Sequence, residues 1–499
     1  MIMFITFFPH FYDECSPREA SAMEKIKQFL GPSVVLGGTA SLYAVGLVSA
    51  MTSLLFVLGL YISGIVPENA YFPRAWYRQN IFMSLYSLYC SENVGYTYLR
   101  SLLHQRQAVP HSDYRHGVRL LSGEQVTPSP FPPHISEGSE FHRRGGGTVD
   151  LRVLGEMCRA GRYTGVVVVP VPVLRDNYAY FILSCKTGCC AVVDPADPAL
   201  VLYMLQVVRH LMRIDFVITD ILTTHKHWDH AGGNKELLDM SVASGENSCP
   251  LLSRELNIYG SVIDKPHACN KLFNGGDELT VADGGVKVTA LGSPGHTQGS
   301  AMFLVGDAFP KDGEAQRLAL FTGDSIFCGG CGALFEVGSV DDILKTIDLF
   351  NDSNTWRHPV TNVRMHTDDI LLYVGHEYTS ACMDMILYYH GPGLLHETQA
   401  EFAASDYYNN VLKAKEEAKQ LRNSRIGDGI YAQVPHDGME GKVLHLPPCT
   451  VPSTLSAERK VNILLSLKRD VLVGLRDQEF SSMTLQKIIY SSKERQNLS

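Results

Sequence analysis

An α/β fold of stacked sheets with helices outside is predicted for this 499-residue chain, and three observations predict it. Short apolar runs rich in valine, isoleucine and tyrosine recur between residues 165 and 380, with helical stretches between them. Several of these runs end in a short loop that carries histidine or aspartate, the layout of an α/β protein with chemistry at its strand ends. Hydrophobic residues make up 45% of the chain and charged ones 19%, which suits a folded protein with a sizeable core.

The elements follow in order. A tail at 1–32 precedes residues 33–66, which hold no charged residue. About 20 apolar residues suffice to cross a bilayer, so 33–66 is expected as a transmembrane segment. Arg74, Arg78, Arg100 and Arg106 follow it, which puts the C-terminal side in the cytoplasm or an equivalent compartment, with a mitochondrial membrane as one setting. Residues 67–164 read as a juxtamembrane region and linker, the linker marked by proline, serine and glycine at 110–150. Strands are expected in 165–183, 189–198 and 215–225, and a helix at 199–213. Further strands are expected in "KVTALGSPGHT", "ALFTGDSIF" and "ILLYVGHEY". These define a catalytic domain at 165–380, and 381–499 reads as a helical region that includes 409–423.

A formal net charge of −9 and the lack of a long basic run argue against nucleic acid as a partner. Twelve cysteines spread over this length do not make a disulfide scaffold, and a reducing compartment fits best. Cys328 and Cys331 form a C-x-x-C with no second such pair, so they read as structural thiols.

The chemistry concentrates in "TTHKHWDHAGGN", residues 223–234. His225 and His227 are two apart on an extended segment, so their side chains point the same way. Asp229 and His230 follow at once. Zinc-type sites take imidazole and carboxylate ligands, some close in sequence and the rest brought by the fold. "SPGHTQGS" adds His296, "FTGDSIF" adds Asp324 and "YVGHEYT" adds His376. A lone histidine is more often a surface or core residue than a ligand, but an H-x-H-x-D-H cluster is a far rarer coincidence. Two divalent ions are therefore expected, zinc first and iron as the alternative. His225, His227, His296 and Asp324 would hold one, and Asp229, His230, His376 and the shared Asp324 the other.

These motifs resemble the metallo-β-lactamase superfamily, and "THKHWDHAGGN", "PGHTQGS" and "GHEYT" resemble its glyoxalase II (hydroxyacylglutathione hydrolase) branch. "VPVLRDNYAY" and "VPSTLSAER" are similar to that branch too. The resemblance implies an αββα sandwich with a dinuclear site at one edge, followed by a helical substrate-binding region. It implies a glutathione thioester as substrate, attacked by a hydroxide that two cations supply near neutral pH, with Asp229 a ligand that also orients it. Asp194 resembles a family carboxylate that holds a ligand imidazole; a turn or cap role before Pro195 is the alternative. Tyr378 matches a family glutathione contact. Ala333 and Phe335 stand where the family carries a lysine and a tyrosine, and its C-terminal basic pair has no counterpart here, so glutathione recognition is expected to be weakened. Two other functions remain open: a persulfide dioxygenase of the same fold with one iron, and a membrane-tethered protein whose function is to bind protein partners.

Overall fold

The structure is a computed structural model. It describes residues 119–120, 151–174, 176–244, 249–310, 316–332, 339–389, 403–423 and 450–466. The chain divides into two units, Met1–His104 and Gln105–Ser499, and every described residue lies in the second. The expected transmembrane segment at 33–66 lies outside the described residues. Among those described, no helix is long and apolar enough to cross a membrane.

The first sheet takes its strands in chain order: β1 (Arg119–Leu120), β2 (Val166–Val173), β3 (Asn177–Ser184), β4 (Cys189–Val193), β5 (Val217–Leu222), β6 (Leu252–Ser261) and β7 (Lys271–Phe273). Strands β1 to β4 are antiparallel neighbours, and β4 to β7 run parallel. The second sheet contains β8 (Glu278–Val281), β9 (Val286–Gly292), β10 (Ala301–Asp307), β11 (Leu318–Gly323), β12 (Ile370–Val374) and β13 (Ser453–Thr454), in the order β13-β12-β11-β10-β9-β8. All its pairs are antiparallel except β11 with β12.

Helices cover both outer faces. Alternation along β2 and β3 shows how. Val167, Val169, Val171, Phe181 and Leu183 pack with the helices α1 (Leu151–Arg159) and α2 (Pro198–Met212). Val166, Val168, Tyr180 and Ile182 point the other way, into a core shared with Val288, Phe303, Phe321 and Tyr373 of the second sheet. Met302, Leu304, Leu320 and Leu372 on the far face of that sheet pack with Ile343, Ile347 and Phe350 of α5 (Ser339–Asn351). Strands buried on both faces read as continuous apolar runs, which explains "GVVVVPVPV". Pro170 and Pro172 lie beyond the two-residue β1, where among the described residues β2 has no neighbour on that side. The architecture is the expected αββα sandwich.

Helix α2 starts where Asp197 Oδ1 accepts from Leu200 N–H at 3.0 Å, with Pro198 at the first turn. The cap is therefore Asp197, which leaves Asp194 free for another role. The packed unit also extends beyond 165–380. Helix α1 lies inside residues 67–164, read as juxtamembrane region and linker, and packs on α2. At the other end, β13 pairs with β12, and Leu455 of α8 (Leu455–Val461) enters the outer core. The helical region after 380 includes α6 (Thr379–Tyr389) and α7 (Asp406–Asn423), where Met383, Ile386, Val411 and Ala414 form a small core with Val461 of α8.

Candidate metal centre

The loops leaving β5, β9, β11 and β12 converge at one edge of the sandwich. After β5 the chain bends at His225 and Lys226, then passes through the extended His227, the N-cap residue, into the short helix α3 (Trp228–Ala231). Helix α4 (Asn234–Val242) follows at once. Its buried Asn234 ties back to Thr223 Oγ1 at 3.0 Å, which closes the loop on itself. The loop after β9 brings His296, and that after β12 brings His376. Asp324 follows Gly323, whose φ of +49° and 2.5 Å clearance to Thr224 Oγ1 leave no room for a side chain.

All seven expected ligands come together, and six of them are nearly fully buried. His225 Nε2 lies 3.0 Å from His227 Nδ1, which lies 2.8 Å from His296 Nε2. His230 Nε2 and His376 Nε2 face each other at 3.3 Å, and Asp229 Oδ2 is 3.4 Å from His376 Nε2. Asp324 stands between the two sets. Its Oδ1 is 3.2 Å from His230 Nε2, and its Oδ2 is 3.3 Å from His296 Nε2 and 3.4 Å from His376 Nε2.

Several side chains orient these groups. Asp194 Oδ2 is 2.9 Å from His230 Nδ1 and accepts from the Thr224 hydroxyl at 2.7 Å. Thr224 Oγ1, its proton directed at Asp194, is left to accept from His225 Nδ1 at 3.0 Å. Asp176 Oδ1 is 3.0 Å from His376 Nδ1. Assigned from these partners, Nδ1–H is the tautomer for His225, His230 and His376, and Nε2 of each faces the centre. Asn177 Nδ2 donates to Asp229 at its carbonyl oxygen (3.0 Å) and at Oδ2 (3.1 Å). Asp176 and Asn177 escaped the sequence reading, although they stand as a polar pair inside "VPVLRDNYAY". Thr224 escaped it too, despite adjoining a candidate ligand. The Tyr378 ring stacks on His376 at 4.7 Å and 7°, with its hydroxyl 3.4 Å from Asp176 Oδ1. Ala333 and Phe335 lie outside the described residues.

Charge divides the centre. Burial, helped by their imidazole neighbours, holds His225 and His227 well below the usual histidine value, so their lone pairs are available. Burial alone would also lower His230, but Asp324, Asp229 and Asp194 outweigh it and raise it to about 10. His376 is raised well above its usual value against burial, by Asp324 and Tyr378 and by hydrogen bonds to Asp176 and Asp229. Burial would raise Asp324 and Asp229, yet the facing histidines hold both well below the carboxylate range. The second set therefore demands positive charge.

These residues fit a pair of divalent cations. Asp324 Oδ1 is buried and makes no well-formed hydrogen bond, with His230 Nε2 standing 3.2 Å away, and an imidazole-rich set with carboxylates suits zinc or iron. The groups His225–His227–His296, His225–His230–Asp324 and Asp229–His230–His376 each bring their donor atoms within 4.8 Å of one another. Cys328 and Cys331 belong to none of these groups and are buried free thiols.

Two packed sheets with such a cluster at one edge define the metallo-β-lactamase superfamily, whose model matches residues 173–308. The chain is 34% identical over 217 residues to the cytoplasmic hydroxyacylglutathione hydrolase of Arabidopsis thaliana, covering 44% of this chain and 70% of that protein. It is 28% identical over 295 residues to the hydroxyacylglutathione hydrolase of Dictyostelium discoideum, covering 59% and 84%. It is 28% identical over 214 residues to the hydroxyacylglutathione hydrolase of Shewanella halifaxensis, covering 43% and 67%. The chain belongs to the hydroxyacylglutathione hydrolase (glyoxalase II) branch of that superfamily.

Proposed function

We propose that this protein is a membrane-anchored dinuclear metallohydrolase that cleaves a hydroxyacylglutathione thioester into a hydroxy acid and glutathione. The observation that carries the reading is the convergence of seven donor side chains from four loops, with Asp324 between the two sets. The names of its relatives supply the substrate class.

His225, His227 and His296 would hold one divalent cation and Asp229, His230 and His376 the other, with Asp324 shared. Such cations, when bound, polarise a carbonyl and bring the pKa of a water toward neutrality. The chain's own part is orientation. Asp194 and Asp176 hold His230 and His376 as Nδ1–H tautomers, and Asn177 holds the Asp229 carboxylate, which would orient the attacking water. When the C–S bond of a thioester breaks, the sulfur portion leaves as a thiolate, with a free-thiol pKa of roughly 8.5, so the chain needs no strong general acid. Tyr378 borders the second set, where it would meet the glutathione portion, and Phe335, in place of a family tyrosine, would be a second substrate contact. The complete second set favours hydrolysis over a one-iron dioxygenase.

Residues 33–66 would anchor the chain, with the catalytic unit on the cytoplasmic side. Their freedom from charge supports this, and Arg74 and Arg78 just beyond support the orientation.

Metal analysis and thiol release from a hydroxyacylglutathione, measured on the purified full-length chain, test the proposal. Two metal equivalents and thiol release that His227→Ala abolishes are expected. A fully loaded wild-type chain that releases no thiol would remove the substrate assignment. An alkaline wash of membranes should leave the chain in the pellet, and release into the supernatant would remove the anchor.

A further inference from the structure

We infer that Asp264 is a positioning residue for the first metal set: its buried carboxylate clamps the loop bearing His225 and His227 to the loop bearing His296. The inference rests on the two-cation reading above.

Asp264 lies in the turn after β6 and is not among the expected ligands. Its side chain is 1% exposed, and a buried carboxylate needs partners. Those partners come from two other loops. Oδ2 accepts from Lys226 N–H at 3.1 Å, the peptide between His225 and His227. The same oxygen accepts from Thr297 Oγ1 at 2.6 Å, directly after His296. Oδ1 accepts from Gly299 N–H at 2.9 Å and stands 3.7 Å from Lys226 Nζ. One carboxylate therefore touches residues adjacent to all three imidazoles of the set.

Its own turn does not require this carboxylate. Ser261 closes it, accepting Ile263 N–H on Oγ at 3.2 Å and Lys265 N–H on its carbonyl at 2.9 Å. The approach to Gly299 is also built in. A Cβ there would meet Asp264 N at 2.4 Å and Oδ1 at 2.5 Å. The second set has no such link to Asp264, since its orienting groups are Asp194, Asp176 and Asn177. The clamp therefore acts on one set, not on the centre as a whole. Outer partners of metal ligands are worth about ten- to a hundredfold in affinity.

The test isolates each set. In full-length chains, His376→Ala leaves the first set and His227→Ala leaves the second. Cobalt(II) affinity is read by competition with a chromophoric chelator. Adding Asp264→Asn, which keeps the shape and one acceptor oxygen, should weaken cobalt about ten- to a hundredfold in the His376→Ala chain. It should leave the His227→Ala chain unchanged. Asp264→Ala should weaken the first set further. An unchanged affinity in the His376→Ala chain overturns the clamp, and so does an equal loss in both chains, which would reveal general destabilisation. If the His376→Ala chain binds no cobalt even with Asp264 intact, the two-cation reading itself fails and the clamp falls with it.

Discussion

Asp194 Oδ2 lies 2.9 Å from His230 Nδ1 and accepts from the Thr224 hydroxyl at 2.7 Å, and that hydroxyl in turn meets His225 Nδ1 at 3.0 Å. One carboxylate oxygen thereby sets the tautomer of an imidazole in each metal set. Asp194 adopts a φ of +49° to do this, a left-handed conformation that only a small polar side chain tolerates well.

Asp194→Asn should therefore weaken both sets. An amide can place an oxygen toward Thr224 N–H or toward the two Oδ2 donors, but not both, so one contact becomes donor against donor. Metal affinity is expected to fall about ten- to a hundredfold, read as loss of bound metal on titration with a chelator. Retention equal to wild type would remove Asp194 from this role.

The metal-free chain should be most stable near pH 6.5. His230, raised to about 10, and His376, raised in the same direction, contribute stability that is whole below the unfolded value of 6.5. That contribution is lost as pH rises through about 10. His225 and His227 are held low and stay neutral in the fold, while the unfolded chain takes up protons below 6.5. Stability therefore falls on the acid side too, and the depressed Asp229 and Asp324 steepen that fall. Thermal melts of chelator-treated protein across this range should trace a peak. Metal should flatten its alkaline limb, because a cation replaces the protons on His230 and His376 and releases them. A flat metal-free curve between pH 6.5 and about 10 would contradict the charge assignment.

Legibility in the sequence followed burial and spacing. Strands β2 to β5, β9, β11 and β12 were readable because their runs are apolar and largely buried, while β10 (Ala301–Asp307), equally apolar and fully buried, escaped the sequence reading. Strands β7 and β8 were not readable, since Lys271–Phe273 and Glu278–Val281 are short and mostly exposed. The ligands were readable because four of them fall in six positions and the other three each sit in the short loop after a strand. Of their orienting groups, Asp194 was reached through the family resemblance, while Asp176, Asn177, Thr224 and Asp264 leave no such trace. Asn177 meets His376 across 199 positions, and Asp264 meets Thr297 across 33. No periodicity links residues that the fold alone brings together.

Helix α1 lies just after the stretch that reads as linker, and its packing on α2 can be tested. A Cβ on Gly155 would lie 2.2 Å from Met212 O and 2.5 Å from Met212 Cα, both backbone atoms at the end of α2. Alanine in a helix gains about 1 kcal/mol over glycine, whereas overpacking costs about 1–3 kcal/mol. The clash should win because backbone cannot step aside as a side chain can. Gly155→Ala should lower the melting temperature while metal content stays at the wild-type level. A rise in melting temperature would show that α1 is free to lift off α2.

Tyr378 separates recognition from metal binding. Its ring stacks on His376 at 7°, and its hydroxyl reaches Asp176 only at 3.4 Å, a weak contact. The firmer support of His376 is Asp176 itself, 3.0 Å from Nδ1. Tyr378→Phe keeps the stack and removes the hydroxyl, so the metal set should survive. If that hydroxyl binds the glutathione portion, its loss costs about 0.5–1.5 kcal/mol, a rise in KM of about two- to tenfold with kcat little changed. Steady-state kinetics beside metal analysis on the same sample decide the matter. Loss of one metal equivalent with KM unchanged would make Tyr378 a support of His376 instead of a substrate contact.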